Sequence, residues 1–137
     1  MTNTTVLYVE DEETDAFFVK RAFTHLQVSN CLRVVRNGED AMHYLAGTDR
    51  FTDRQRYPVP AMVLLDLKLP GKQGVEVLEW IRQQPQFQSL PVVIFSGSHL
   101  ETDRDRTLQL GANDYIVKPT DMSKVPELLS SVLKRFL

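Results

Sequence analysis

The stretch VLLDLKLPGKQG, Val63 to Gly74, runs three apolar residues into a lone carboxylate, Asp66, and then into a loop rich in Pro and Gly. An apolar run of that kind reads as a buried strand, and a carboxylate at the end of a buried strand is expensive unless it is exposed, paired or at work. The rest of the chain decides which of these holds.

Four more short runs resemble the first. Val6 to Val9, Leu32 to Val35, Ala61 to Leu65 (which contains Val63), Val92 to Phe95 and Tyr115 to Val117 are rich in Val, Ile and Leu and lack sustained polar alternation. That is the pattern of strands covered on both faces. Between them lie segments of helical spacing. Val19, Ala22, Phe23 and Leu26 form one apolar face, Ala41, Met42 and Leu45 a second, and Val75, Leu78 and Ile81 a third. The segment from Leu100 to Leu110 is mostly polar and is the weakest helix. Val125, Leu128, Leu129, Val132, Leu133 and Phe136 predict the last one, capped by Asp121 or Ser123, with Pro126 in its first turn. Strands alternating with helices predict an α/β fold, a doubly wound parallel sheet of five βα units in the flavodoxin-like order 2-1-3-4-5.

Composition agrees with one such domain over residues 1–137. The chain is 42% hydrophobic and 25% charged, enough to bury a substantial core. A net charge of -2 disfavours a nucleic-acid partner. One cysteine, Cys31, excludes a disulfide framework and a cysteine zinc site. No apolar run is long enough for a membrane span, and the start MTNTTVLYVEDEE lacks the basic residues of a signal peptide. The expectation is a cytoplasmic protein that does not contact membrane.

In open α/β sheets, ligands sit beyond the carboxyl ends of the strands. There the first strand delivers Glu10 and Asp11, the third Asp66, the fourth Ser96-Gly97-Ser98, and the fifth Lys118-Pro119. Clustered carboxylates repel one another unless a cation joins them, and hard oxygen donors suit Mg²⁺ or the similar Mn²⁺. Mg²⁺ keeps positions open for water or phosphate oxygen. An Asp carboxylate can accept a phosphoryl group while metal, Lys and hydroxyl groups hold the oxygens where charge gathers. Asp66, alone at the end of the central strand, is the best candidate nucleophile.

VLYVEDEE, LLDLKLPGKQG, VVIFSGS and GANDYIVKP, in that order, resemble the motifs of the receiver domain of two-component response regulators. The resemblance covers nearly the whole chain. It implies Asp66 as phosphoacceptor and metal ligand, Asp11 as a direct Mg²⁺ ligand, Glu10 acting mostly through bound water, and the Lys68 backbone carbonyl completing the protein's share. Ser96 and Lys118 would each hold a phosphoryl oxygen. Pro119 would follow Lys118 in the cis form, and Tyr115 would be an aromatic switch that turns inward as Ser96 moves. Glu10 stands where Asp is commoner, which keeps the charge and lengthens the reach. Lys68 and Ser98 occupy positions that tune dephosphorylation in this family.

Glu12 and Glu13 read as helix-end or solvated charges and stay outside the metal shell. His25, His43 and His99 show no ligand spacing, and Arg104 and Arg106 alternate with Asp103 and Asp105 as on a solvated helix. Only one helix follows Lys118, which predicts a stand-alone regulator without an output domain. The long link AGTDRFTDRQRYPVPA, Ala46 to Ala61, with the Glu-Asp pair and the C-terminal RFL, is similar to single-domain regulators paired with phytochrome histidine kinases. A plain surface loop, with Arg50, Arg54 and Arg56 solvated among Asp49 and Asp53, weighs about equally.

The resemblance implies a sensor histidine kinase as partner, and the likeness of the long link extends this to a phytochrome-type kinase. It also implies a signalling face made of the loop after Ser96, the fourth helix, the fifth strand and the last helix, with a possible homodimer through that face or the C-terminal region. Two competing readings remain. An aspartyl phosphatase usually needs a second Asp two residues after the first, and Lys68 stands there, so a turnover enzyme is disfavoured. A receiver-like interaction module that works without phosphorylation typically loses an acid, the hydroxyl or the lysine, and this chain keeps them.

Overall fold

Every residue of the strands β1 (Val6–Val9), β3 (Met62–Leu65) and β4 (Val92–Ser96) is buried, as unbroken apolar runs require. The computed structural model describes residues 4–137. β2 (Leu32–Val35) and β5 (Asp114–Val117) are only partly covered, because they are the two edges of a parallel sheet in the order β2-β1-β3-β4-β5. The expected order is the one found. The strands begin and end within a residue of the sequence reading: β3 starts at Met62 rather than Ala61, β4 runs on to Ser96, and β5 starts at Asp114.

Successive side chains leave a strand on opposite faces, so each strand feeds two cores. Leu7, Val9, Val63, Leu65, Val92 and Ile94 meet α2 (Gly38–Ala46) and α3 (Gly74–Gln83) on one face. Val6, Tyr8, Met62, Leu64, Val93 and Phe95 meet α1 (Glu13–His25) and α5 (Val125–Phe136) on the other. The helix faces shift slightly from the spacing read in the sequence. In α3 Val77 is buried and Val75 only half so, and in α2 Tyr44 takes the inward place while Met42 is half-exposed. The polar fourth helix is real. It is α4 (Glu101–Gln109), and Thr107 is its one buried residue.

Helix ends follow their residues. Asn37 accepts the Asp40 N–H at 2.7 Å at the start of α2, and Gly47 closes that helix in the left-handed region at φ 71°. Asp121 caps a single 3-10 turn, Met122–Lys124, that leads into α5, with Pro126 in the first turn of the helix.

The long link after α2 is a built structure rather than a solvated loop. A 3-10 turn, Asp49–Phe51, buries Phe51, and the rings of Tyr44, Phe51 and Tyr57 pack at 5.1–5.9 Å between centroids. Arg54 donates to the carbonyls of Tyr44 at 2.7 Å, Leu45 at 2.7 Å and Tyr57 at 3.1 Å. Arg50 pairs with Asp40, and Arg56 lies over the Tyr57 ring. The picture of three solvated arginines is therefore corrected for Arg54, while Arg50 and Arg56 are exposed as expected. The Arg54 guanidinium supplies a donor to the Leu45 carbonyl at the end of α2 and shares the Tyr44 carbonyl with the Gly47 N–H. Among the described residues no helix is long and apolar enough to cross a membrane.

Candidate functional site

Register brings the site together. Val9 lies beside Leu65 and Leu65 beside Ile94, so Glu10 and Asp66, one residue further on, emerge together at the C-terminal edge of the sheet. Ser96 is the last residue of β4 and pairs with Val117, and Lys118 follows, its N–H donating to the Ser96 carbonyl at 2.8 Å. These groups line an open cleft of about 1110 Å³, floored by Glu10, Asp66, Ser96 and Lys118 and rimmed by Asp11, Lys68 and Ser98.

The Lys118 ammonium is the hub. Its three N–H donors meet three carboxylates, Glu10 at 2.7 Å, Asp15 at 2.7 Å and Asp66 at 3.0 Å. Burial works against the ammonium, but hydrogen bonds to Asp15 and Glu10 and the charge of Asp66 outweigh it, so its pKa rises above the usual lysine range. Glu10 is also pushed up from its ordinary value. Burial raises its pKa, the adjacent Asp66 carboxylate raises it further, and Lys118 offsets only part of this. The site carries more negative charge than one ammonium neutralises.

Asp66 is held at both oxygens. Oδ1 accepts the Leu67 N–H at 2.8 Å and the Lys68 N–H at a long 3.5 Å, and Oδ2 accepts from Lys118. The β3–α3 loop can bring those N–H groups in because Gly74 packs against the Asp66 carbonyl, where an added Cβ would come within 2.2 Å of that oxygen. Gly71 takes the left-handed conformation, φ 69°, that turns the loop. The loop carbonyls on either side of Lys68 are occupied: Leu67 accepts the Gly74 N–H and Leu69 the Gln73 side chain. Among the described residues none donates to the Lys68 carbonyl, and none pairs with the exposed Asp11 carboxylate.

This donor set fits a divalent cation of the Mg²⁺ kind. Among the described residues no three His, Cys, Asp or Glu side chains are arranged as a closed metal cage. Two free donors beside an excess of carboxylate charge match an ion that takes few protein ligands and keeps its waters.

Tyr115 is buried, and its hydroxyl donates to the Ser98 carbonyl at 3.0 Å. The ring therefore lies inward while Ser96 still accepts from the loop. The Ser98 N–H donates to Ser96 Oγ at 3.2 Å, and Ser98 Oγ donates to Asp103 at 2.6 Å while accepting the Leu100 N–H at 3.3 Å. One residue therefore ties the Ser96 hydroxyl, Tyr115 and the start of α4 together.

One expectation is corrected. The peptide bond before Pro119 is trans, as are all those of the described residues. An X–Pro bond favours trans by only about 0.5–1 kcal/mol, so the dipeptide Lys118-Pro119 does not by itself dictate the isomer. Glu12 and Glu13 stay off the floor of the cleft: the Glu12 N–H donates to Glu10 Oε2 at 3.2 Å, and Glu13 pairs with Arg36 at the surface.

Two members of the site escaped the sequence reading. Asp15 comes from the first turn of α1, a place where any acid also reads as a dipole-complementing charge. Tyr8 donates its buried hydroxyl to Glu10 Oε1 at 2.8 Å. A hydroxyl inside an otherwise apolar strand, two residues before Glu10 and so on the same face, was the available signal.

Residues 6–130 match the family model of the response regulator receiver domain. Among curated proteins the chain is similar to the response regulator Rcp1 of Synechocystis sp., at 31% identity over 93% of this chain and 84% of that protein. Among solved structures it resembles the phosphorylated cyanobacterial phytochrome response regulator RcpA, at 30% identity and a TM-score of 0.89, covering 98% of this chain and 94% of the other. It also resembles RPA3017, a response regulator in red light signalling of R. palustris, at 34% identity and a TM-score of 0.87 over 94% and 90% of the two chains. The Mn²⁺-bound form of Rcp1 aligns with a TM-score of 0.81 at 31% identity, over 94% of this chain and 91% of that one.

Proposed function

The chain belongs to the response regulator receiver family, and from that premise we propose that it accepts a phosphoryl group on Asp66 from a histidine kinase and passes the change to a partner through the face around α4 and β5. The observation that carries this reading is the setting of Asp66. It is a buried carboxylate fixed by the Leu67 N–H and Lys118 at the floor of an open cleft it shares with Ser96.

A carboxylate oxygen of Asp66 attacks phosphorus in line, the bond from phosphorus to the donor imidazole nitrogen breaks, and its electron pair leaves with the imidazole. Lys118, already on Asp66 Oδ2, moves to a phosphoryl oxygen and stays balanced by Glu10 and Asp15. The Ser96 hydroxyl turns to a second phosphoryl oxygen and releases the Ser98 N–H. A divalent cation, Mg²⁺ or Mn²⁺, held by Asp11, Asp66 and the Lys68 carbonyl and by Glu10 through water, would neutralise charge gathering on the transferred group. Contacts that differ between the two states are what shift a population, and the bonds linking Ser96, Ser98, Tyr115 and Asp103 supply them. The readout then falls on α4, β5 and α5, a surface suited to a partner or a second copy. The likeness to RcpA, a phytochrome response regulator, supports a phytochrome-type kinase as the donor.

The test is Asp66→Asn against the parent, with acetyl phosphate or a cognate kinase as donor and Mg²⁺ present. The parent should take up a base-labile acyl phosphate, and the variant none. Undiminished label on the Asn variant would remove Asp66 from the reaction. Failure of beryllofluoride with Mg²⁺ to perturb Trp80 fluorescence or the dimer fraction would favour a module that works without phosphorylation.

A further inference from the structure

We infer that Tyr8 is a positioning residue for the divalent cation, its hydroxyl fixing one oxygen of Glu10 so that the other is presented to the cleft. The inference rests on the reading above, in which Glu10 helps to hold that ion. Tyr8 is fully buried in β1, and its ring sits in the core between the sheet and the α1–α5 layer. Among the described residues its hydroxyl bonds one polar side chain, Glu10, donating to Oε1 at 2.8 Å.

The same oxygen takes the Lys118 ammonium at 2.7 Å. Oε1 thus has two donors, as many as a carboxylate oxygen holds comfortably in its plane. Oε2 has one, the Glu12 N–H at 3.2 Å, and keeps a lone pair for a cation or its bound water. Glutamate has one more rotatable bond than aspartate, and on its own it scatters over more positions. With Tyr8 below it and Lys118 beside it, Glu10 has one orientation. Tyr8 lies two residues earlier on the same face of the strand, so the length of a phenol spans the interval that the longer acid leaves.

A purely structural account would make Tyr8 a core aromatic that uses Glu10 only to satisfy its hydroxyl. The two accounts part at the metal. Removing a group that orients a ligand from behind typically weakens metal binding tenfold or more, with the ligands themselves intact. Removing a core hydroxyl changes folding stability and leaves the affinity alone.

The experiment is calorimetric titration of Mn²⁺ into the metal-free full chain, without any phosphoryl donor, for four proteins: the parent, Tyr8→Phe, Glu10→Asp and the double variant. Tyr8→Phe is expected to weaken Mn²⁺ binding roughly tenfold in the parent. It should change affinity less than about twofold in the Glu10→Asp background, where the shorter acid no longer reaches the phenol. An unchanged affinity for Tyr8→Phe, or an equal loss in both backgrounds, overturns the inference.

Should the Phe variant not fold, the unsubstituted protein gives a second readout. The Tyr8 ¹³Cζ resonance, assigned by replacing Tyr44, Tyr57 and Tyr115 in turn, should shift on addition of Mg²⁺ in the parent and not in Glu10→Asp. Its indifference to Mg²⁺ in the parent also overturns the inference. If the parent binds no Mn²⁺ at all, the metal-assisted reading falls with it. If the parent binds and Tyr8 makes no difference, only the positioning role falls.

Discussion

The protein buries a cation in two quite different ways. Arg54, in the link between α2 and β3, sits on three backbone carbonyls that are neutral and cannot titrate. Lys118, at the end of β5, sits on three carboxylates that can. The first arrangement is saturated and balanced, since both terminal nitrogens of the guanidinium meet carbonyl oxygens that carry no charge. The second is over-supplied with negative charge, as the raised pKa of Glu10 records. A saturated cation is a staple. A cation among too many acids leaves room for a second cation, or for a phosphoryl group that takes over one of its bonds.

The sharpest way to break this contrast is to remove each cation and vary pH. Lys118→Ala leaves three carboxylates, Glu10 and Asp66 among them largely buried, without their counter-ion. The metal-free variant should lose about 3 kcal/mol of stability in urea unfolding at pH 8. The loss should shrink at pH 5.5, where Glu10 takes up a proton and one of the unpaired charges disappears, and saturating Mg²⁺ should also reduce it. A loss of the same size at both pH values would mean that the carboxylates are not the source of the penalty.

Arg54→Ala should cost about 2 kcal/mol, the price of leaving carbonyls without donors at a half-buried helix end. Because those partners do not ionise, the loss should be the same at pH 5.5 and pH 8, and Mn²⁺ affinity should not move. If Arg54→Ala altered metal binding, the link and the cleft would be coupled, and the separation drawn here would fail.

How far the sequence shows this contrast follows from what each region is made of. Strands covered on both faces have to be continuous apolar runs, so β1, β3 and β4 and their order were legible. Glu10, Asp11, Asp66, Ser96 and Lys118 were legible as a group because a parallel sheet delivers its strand ends to one edge. Arg54 was not, because its partners are backbone carbonyls, which look alike at every position. Asp15 was hidden by its place in a first helical turn, where an acid has an ordinary reason to be. Tyr8 was hidden by the apolarity of its ring. The peptide bond at Pro119 was not legible because the two residues that form it do not by themselves dictate its isomer.

The Glu10 imbalance gives a smaller effect of its own, with a definite sign. Its folded pKa is raised, so the stability tied to its proton is fully present below the ordinary carboxylate value. That stability is lost as pH rises through the higher folded value, and above that it stays lost. In metal-free protein, unfolding free energy should therefore fall between about pH 4.5 and pH 7, by an amount on the order of 1–2 kcal/mol. Glu10→Gln should remove this decline, and Mg²⁺ should flatten it by joining the ionised carboxylates. A parent that grew more stable over this window would show that Lys118 already neutralises the site.

The smallest effect belongs to the hydrogen bond that ties β5 to the loop after Ser96. Tyr115→Phe keeps the ring in its buried place and deletes only the hydroxyl that donates to the Ser98 carbonyl. A net hydrogen bond of this kind contributes about 1 kcal/mol, and urea unfolding should show a loss of that size. The informative measurement compares the metal-free protein with the beryllofluoride-treated one. If the bond belongs equally to both states, the loss is the same with and without beryllofluoride. If Ser96, on leaving the Ser98 N–H for a phosphoryl oxygen, draws Ser98 and Tyr115 closer, the loss is larger in the treated protein, and the excess is the part of the switch that this one hydroxyl carries. A loss confined to the untreated protein would reverse the direction: the inward Tyr115 would then belong to the resting state, and Asp103 with the start of α4 would be what phosphorylation sets free.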